Sequence, residues 1–487
     1  LKTSLLTTTL CGLMAVQCAV AQQIPGLQFS NYGGLYRSTY NPSVLGGPRH
    51  KFQINVLTLG GSIKYRYFRF IGENSFLYPL LAPHSTKELY GRSRTMGSLT
   101  YKDPIFLAGE IRWPSVSFAL GKYHGVAVQL RTRGFVVGRN IPSAIDNLYT
   151  KRLDTGSIPS VSDEAWGDFS LVQQSFSDLS FSYGAQLLDI EGHKFRVGVT
   201  VKRVFGARVA YLKGNADRYS INPVSSSNPD VSQLEIDNLT YESGYSTPNR
   251  KMSVGNLFDS GKYGSGWGYD LGFSYEIGSV WKDRKEVYND SPDYLIRLAG
   301  SLTDIGSVKY KTGDSRVVKG THSDVVVGQT QLETISDRGP EGFMSLFPSD
   351  TSSILAQKAK LPQALNLEAD LQVFHGFFLN ISHTSRLSGG GKQSTGSLSD
   401  GRQSLDMYVP NTFIITPRFE DEDSGLSFPI SFIQGNNRPS IGLAGHFGPV
   451  FLGFSNVNGL MKSGGARGSM MYIGFTAWKA SRKKDKD

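Results

Sequence analysis

From Leu179 onward the chain reads apolar and polar in strict turn. Leu179, Phe181, Tyr183, Ala185 and Leu187 alternate with Ser180, Ser182, Gly184 and Gln186; after Ile190-Glu191-Gly192-His193 the pattern resumes, with Phe195, Val197, Val199 and Val201 set against Arg196, Gly198, Thr200 and Lys202. A period of two is the mark of a strand with one oily face, and a glycine in so short a connection marks a hairpin. A soluble sandwich buries its oily face against a second sheet and seldom sets so many glycines and charges opposite it. A barrel in a bilayer does the reverse, turning oily side chains to lipid and small or charged ones inward.

The same period recurs along the chain. Val116, Phe118 and Leu120 alternate with serine and alanine, and Val126, Val128 and Leu130 follow a turn at Gly121 to Gly125. The cleanest run sets Trp267, Tyr269, Leu271, Phe273, Tyr275 and Ile277 against Gly268, Asp270, Gly272, Ser274 and Glu276. Tyr294 to Leu298, Leu365 to Val373 and Phe377 to Ile381 continue it, with further strands near residues 407–418, 426–433, 440–446, 450–454 and 469–478. A first strand falls within residues 51–70, broken or bent at Gly60-Gly61. The fold predicted is all-β: a transmembrane antiparallel β-barrel of about fourteen strands. Long segments at 71–103, 140–172, 214–263 and 311–361 read as loops and all fall at one end, outside the cell; in the last, Pro348-Ser349-Asp350 caps a short helix from Ile354 to Lys358. Short turns at Lys122 to His124, Glu191 to His193, His375-Gly376 and Gly448-Pro449 fall at the other, in the periplasm.

Composition agrees with this reading. Of 487 residues 39% are hydrophobic and the mean hydropathy is −0.24, and past the N-terminus no run approaches the roughly 18 apolar residues of a spanning helix. The 55 glycines, 23 tyrosines and 28 phenylalanines suit curved strands and interfacial girdles. Residues 1–21 read as a cleaved signal peptide, with Lys2, an apolar stretch from Leu5 to Val16 and Ala19-Val20-Ala21 before Gln22. Both cysteines, Cys11 and Cys18, lie in that leader, and Gln17 stands where a lipoprotein signal needs a small residue. Residues 22–50 form an N-terminal segment, 51–479 the barrel and 480–487 a charged periplasmic tail. A net charge of +10 and pI of 9.3 do not point to nucleic acid, because the basic residues are scattered over strands and loops of an exported chain.

Charges on the inward face suggest a ladder. Strands expected to run upward carry Arg131, Arg196, Lys202 and Arg297, and neighbouring downward strands carry Asp270, Glu276, Glu368 and Asp370. Counting from the turns sets Arg196, Glu276, Arg297 and Asp370 at similar depth, so salt bridges filling and stiffening the lumen are expected. His124, His193, His375 and His446 stand at separate turns, a strand width or more apart, which suits turn residues and not a metal site. The chain holds no Gly-x-Ser-x-Gly, His-Glu-x-x-His or phosphate loop, and Ser382 and His383 point to opposite faces. No catalysis, cofactor or metal is expected.

Leu27-Gln28-Phe29-Ser30-Asn31-Tyr32-Gly33-Gly34, Tyr40-Asn41-Pro42-Ser43 and Lys51-Phe52-Gln53-Ile54-Asn55 resemble the start of a family of Bacteroidota outer-membrane barrels of unknown function. Ser301 to Gly306 and Pro362 to Asn366 resemble it too. That family is distantly similar to FadL-type fatty-acid transporters and PorV-type secretion subunits. The resemblance implies that Asn41-Pro42-Ser43, with serine where alanine is usual, ends a hatch folded into the barrel mouth. Independently of the resemblance, Pro42 holds Asn41 extended and the Asn side chain can cap the turn. Two tasks are implied: passive passage of a hydrophobic or small amphipathic solute through the outer membrane, or a non-catalytic accessory role beside other envelope proteins. Passage leads to the expectation of an apolar pocket beneath residues 140–172 and 214–263.

Overall fold

The computed structural model describes residues 26–64, 70–71, 94–95, 105–142, 152–154, 160–225, 228–246, 263–278, 294–311, 316–347, 349–353, 357–387, 405–406, 409–421, 423–434, 439–457 and 469–481, and the single residues 145, 148, 156 and 258. Fourteen antiparallel strands close into one barrel. They are β1 (His50–Lys64), β2 (Ile105–Arg112, continuing as Ser115–Leu120), β3 (His124–Arg139), β4 (Val161–Ile190), β5 (His193–Ser225), β6 (Gly264–Ile277) and β7 (Ile296–Tyr310). The ring continues with β8 (Gln357–Lys360, then Ala364–Phe374), β9 (Phe377–Arg386), β10 (Thr412–Glu420) and β11 (Ser424–Ser427, then Ile430–Ile433). It ends with β12 (Ser440–Ile441, then Leu443–Phe447), β13 (Val450–Phe454) and β14 (Ser469–Ser481). Each strand pairs with the next, and β14 returns to β1 with Leu59 opposite Ile473.

The side-chain pattern is inside out for a soluble protein. Phe181 is 54% and Leu271 50% exposed, while Ser180 and Asp270 are 3% and 1% exposed. Leaving large apolar side chains in water forgoes roughly 1.5–3 kcal/mol each, so a belt that also includes Phe118, Leu187, Trp267 and Phe475 is stable against hydrocarbon. At one rim the connections are tight: Glu191 and Gly192 adopt φ of 47° and 84°, the backbone of a two-residue hairpin turn that matches strand twist.

Several elements differ from the sequence reading. β1 runs unbroken through Gly60-Gly61 because β2 and β14 pair with it on both sides there. The loop placed at 71–103 lies almost wholly outside the described residues. Residues 161–172 and most of 214–245 are strand, not loop: β4 spans 30 residues and β5 33, against the roughly 9–11 that cross a bilayer. Their outer halves join Asn228–Asp237, Leu239–Tyr245, Arg316–His322, Val325–Val327 and Thr351–Ser353 in an outward lobe. Two helices complete it, α1 (Gln329–Arg338) and α2 (Pro340–Leu346). Leu234, Ile236, Tyr241, Val318, Phe343 and Phe347 make the core of the lobe.

Of the helix expected from Ile354 to Lys358, residues 354–356 lie outside the described residues, and Gln357 and Lys358 are strand. Thr351–Ser353 pairs with Val317 to Lys319, Gln357–Lys360 pairs with β7, and the Asp350 carboxylate accepts the Thr321 N–H at 2.9 Å instead of capping a helix. α1 instead ends where Gly339 turns to φ 62°, donating to the Ile335 carbonyl at 2.7 Å, and Pro340 opens α2.

Candidate functional site: the barrel lumen

Residues 26–49 lie inside the ring. Two 3-10 turns, Leu27–Phe29 and Pro42–Leu45, flank a single helical turn, Gly34–Ser38. Contacts reach strands around the circumference. Asn31 Nδ2 donates to Glu420 of β10 at 2.7 Å, Gln129 of β3 donates to the Leu35 carbonyl at 3.1 Å, and Arg37 meets Glu368 of β8 at 3.2 Å. The Tyr36 hydroxyl binds Asn55 of β1, and its ring sits edge-on to Phe451 of β13 at 4.3 Å.

The seat for the second turn is a row of glycines. Gly125, Gly184, Gly198 and Gly272 stand directly opposite one another on β3, β4, β5 and β6. The backbone from Asn41 to Gly46 lies flush along them. A Cβ at Gly125 would fall 2.5 Å from the Leu45 carbonyl oxygen, and one at Gly184 2.5 Å from Gly46 N; at Gly198 and Gly272 it would strike Pro42 and the Asn41 side chain. Glycine is required here for close approach of one backbone to another. Asn41 caps the turn by accepting the Ser43 N–H at 3.0 Å and donates to the carbonyls of Phe273 at 3.0 Å and Gly300 at 3.2 Å; Ser43 Oγ lies 3.2 Å from Ser274 Oγ. Pro42 sits at the first position of the turn, where its missing N–H costs nothing.

The inward charges fall into three groups. In the first, Arg131 and Arg133 hold Asp178 at 3.0 and 2.9 Å, Arg133 holds Asp304 at 2.6 Å, and Lys202 Nζ lies 2.6 Å from both Asp270 and Asp304. Glu110 and Arg112 pair beside Arg131, so four cations face four carboxylates. A bulge makes this possible: Asp304, at φ 57°, is the extra residue where the β6–β7 register slips, and Asp270 accepts its N–H at 2.7 Å. In the second group, Arg297 meets Glu368 at 2.8 Å and Asp370 at 2.7 Å, Arg418 meets Asp370 at 2.6 Å and Glu420 at 3.0 Å, and Arg37 brings the third cation from the N-terminal segment. The third is Arg196 with Glu276 at 2.6 Å. Glu276 is opposite Arg297, and Arg297 opposite Asp370. Removing one partner of such a buried pair costs about 3–5 kcal/mol, since its mate is left buried and unpaired.

Toward the outward end the lumen turns apolar. Phe106, Phe135, Phe176, Val204, Tyr211 and Val308, from β2 to β7, pack as one cluster, with Leu361 and Met470 reaching it from β8 and β14. Outward of that layer, residues such as Phe169, Tyr219 and Leu234 pack into the core of the lobe; parts of 140–172 and 214–263, beneath which an apolar pocket is expected, lie outside the described residues. A cavity of about 750 Å³ lies instead at the opposite end, beside the turns at 375–376 and 421–424. His124 and His193 each place Nδ1 2.8 Å from a tyrosine hydroxyl, Tyr183 and Tyr275; they are exposed rim residues. Ser382 is buried inside, with His383 on the other face opposite Leu367.

Sequence reading missed Arg37, Glu110, Arg112, Arg133, Asp178, Asp304, Arg418 and Glu420. Arg133 and Asp178 carry on the alternation that includes Arg131 and Ser180 and could have been found by extending those strands. Asp304 could not, because the bulge shifts its parity.

A family profile described only as a family of unknown function, DUF5723, matches residues 48–455. No curated protein matches the sequence. Among solved structures, a deltaS2S3 mutant of the TodX monoaromatic hydrocarbon channel is 11% identical, covering 91% of this chain and 94% of its own at a TM-score of 0.40. The Pseudomonas putida toluene transporter TodX is 10% identical over 94% and 95% at 0.35, and the outer membrane protease OmpT of Escherichia coli 8% identical over 88% and 95% at 0.21.

Proposed function

Since the chain belongs to the DUF5723 family of unknown function, its task is read from its own lumen, and we propose that it is a bacterial outer-membrane barrel for passive, FadL-like passage of a hydrophobic or small amphipathic solute. In this reading residues 26–49 are a hatch and Asn41, Pro42 and Ser43 its latch. The carrying observation is the glycine seat: a smooth inner track on which the hatch backbone rests by a few hydrogen bonds. The charge groups stiffen the surrounding wall, and the apolar layer above closes the path by excluding water until a solute enters. No ATP, cofactor or catalytic step is involved, and membrane lipid is the permanent partner of the belt.

A lock tests this. Ser43 Oγ and Ser274 Oγ are 3.2 Å apart, so a cysteine at each position sets two thiols facing one another across the contact. Ser43→Cys with Ser274→Cys, reconstituted in liposomes, is expected to lose uptake of a fluorescent fatty acid when oxidised and regain it on reduction. Equal uptake in both states would show that the hatch does not move.

The outward lobe favours a second reading. Its separate hydrophobic core is more than a pore needs and suits an accessory barrel that docks other envelope proteins, as in PorV-type subunits. Purification in mild detergent decides: stable envelope partners support it, and a solitary monomer counts against it.

A further inference from the structure

The cavity at the periplasmic rim is shaped by two faces of the wall. On the outer face, Phe419, Leu426, Phe447 and Leu452 are 50, 45, 81 and 41% exposed, and they surround Gly445, which lies opposite Leu426 and Leu452 and has no side chain to fill the space. These residues continue the lipid-facing belt. On the inner side the boundary is Tyr32 of the N-terminal segment and Glu420; the turn adds Asp421. At about 750 Å³ the space is within the roughly 300–1,000 Å³ range of small-ligand sites.

Charge narrows what can sit there. No lysine or arginine lines the cavity among the described residues; its lining carries two carboxylates and two histidines, His375 and His446. Glu420 is already satisfied by Arg418 and Asn31. Asp421 is exposed at the turn; burial acts to raise its carboxyl, but the N–H groups of Ser424 and Asp423, donating at 2.7 and 2.9 Å, hold it below the ordinary aspartate value. An anionic headgroup would be repelled, and an ammonium attracted.

We propose that this cavity is a binding site for an aminophospholipid of the periplasmic leaflet, one acyl chain lying over Gly445 between Leu426 and Leu452 and the ammonium headgroup against Asp421. The lipid then touches Tyr32 and bears on the N-terminal segment from outside the ring. The site exists whether or not the lumen opens.

Native mass spectrometry of the full protein in mild detergent, with dioleoyl phosphatidylethanolamine and dioleoyl phosphatidylglycerol added in equal amounts, tests it. Phosphatidylethanolamine adducts are expected in at least roughly tenfold excess, the preference to fall toward unity in Asp421→Asn, and the adduct to disappear in Gly445→Trp. Should Gly445→Trp fail to fold, Phe447→Ala, at an exposed rim position, is expected to weaken retention roughly tenfold. Equal retention of the two lipids by the unaltered protein, or a phosphatidylethanolamine adduct undiminished in folded Gly445→Trp or Phe447→Ala, overturns the proposal.

Discussion

Replacing Gly198 by leucine tests the seat directly. Its Cβ would meet the Pro42 carbonyl carbon and Ser43 N, backbone atoms that cannot swing aside, so the turn from Pro42 to Leu45 must lift. Three hydrogen bonds go with it: Asn41 to Phe273, Asn41 to Gly300, and Ser43 to Ser274. At about 1 kcal/mol each docking weakens by about 3 kcal/mol, roughly a hundredfold rise in the undocked population. The wall does not suffer, since glycine within a strand is itself about 0.5–1 kcal/mol unfavourable. Hydrogen exchange of residues 41–46 is therefore expected to speed up roughly a hundredfold while heat-modifiable migration shows the barrel intact. Gly61→Leu is the control, because nothing lies within 4 Å of its Cβ. Unchanged protection in a folded Gly198→Leu barrel would refute the claim that these glycines exist to admit the segment.

Arg297→Leu leaves only Arg37 and Arg418 to balance the three buried carboxylates Glu368, Asp370 and Glu420 and is expected to lower barrel stability by about 3–5 kcal/mol in denaturant titrations; a loss below about 1 kcal/mol would mean the pairs are hydrated. Phe343→Ala should cost about 3–5 kcal/mol, confined to the lobe: faster exchange across α1 and α2, with β5 to β7 near the rim unchanged. Lys213, 20 residues along β5 from the short turn at His193, lies beyond the spanning part of the strand. Burial lowers its ammonium from the ordinary 10.5 to about 8, with Glu242 opposing and Arg139 assisting. Between those values the unfolded chain holds more protons than the folded one, so stability is lowest below pH 8 and rises toward pH 10.5. Amine labelling of Lys213 should titrate near pH 8, and Glu242→Gln should lower that midpoint further.

The hairpin of β4 and β5 was open to reading because one of its faces meets lipid and the other does not, which leaves a clean period of two. That contrast vanishes in the outward halves of the same strands. There Phe169 and Ala216 are covered by the lobe, and residues 206–211 of β5 are buried in succession, so no alternation shows. The helices at 329–346 were hidden for another reason. Gly339 and Pro340 cut one periodic run into pieces of 10 and 7 residues, too short for a 3.6-residue repeat to show. Each glycine of the seat was visible singly on the polar face, but its meaning lies in the register across four strands, which no local pattern states. Arg37 was unreadable similarly, since its partner Glu368 is 331 residues away.

That separation bears on how the molecule comes together. Asn31 meets Glu420 across 389 residues of chain and Tyr294 across 263, and the Tyr36 ring rests on Phe451. Residues 26–49 precede every strand they touch, and those strands run from β1 to β14. Their berth does not exist until the sheet has curled round and sealed, and bringing such remote partners into contact is slow. The earliest stretch of the folded chain is thus the last to settle, and until then the row of glycines stays bare.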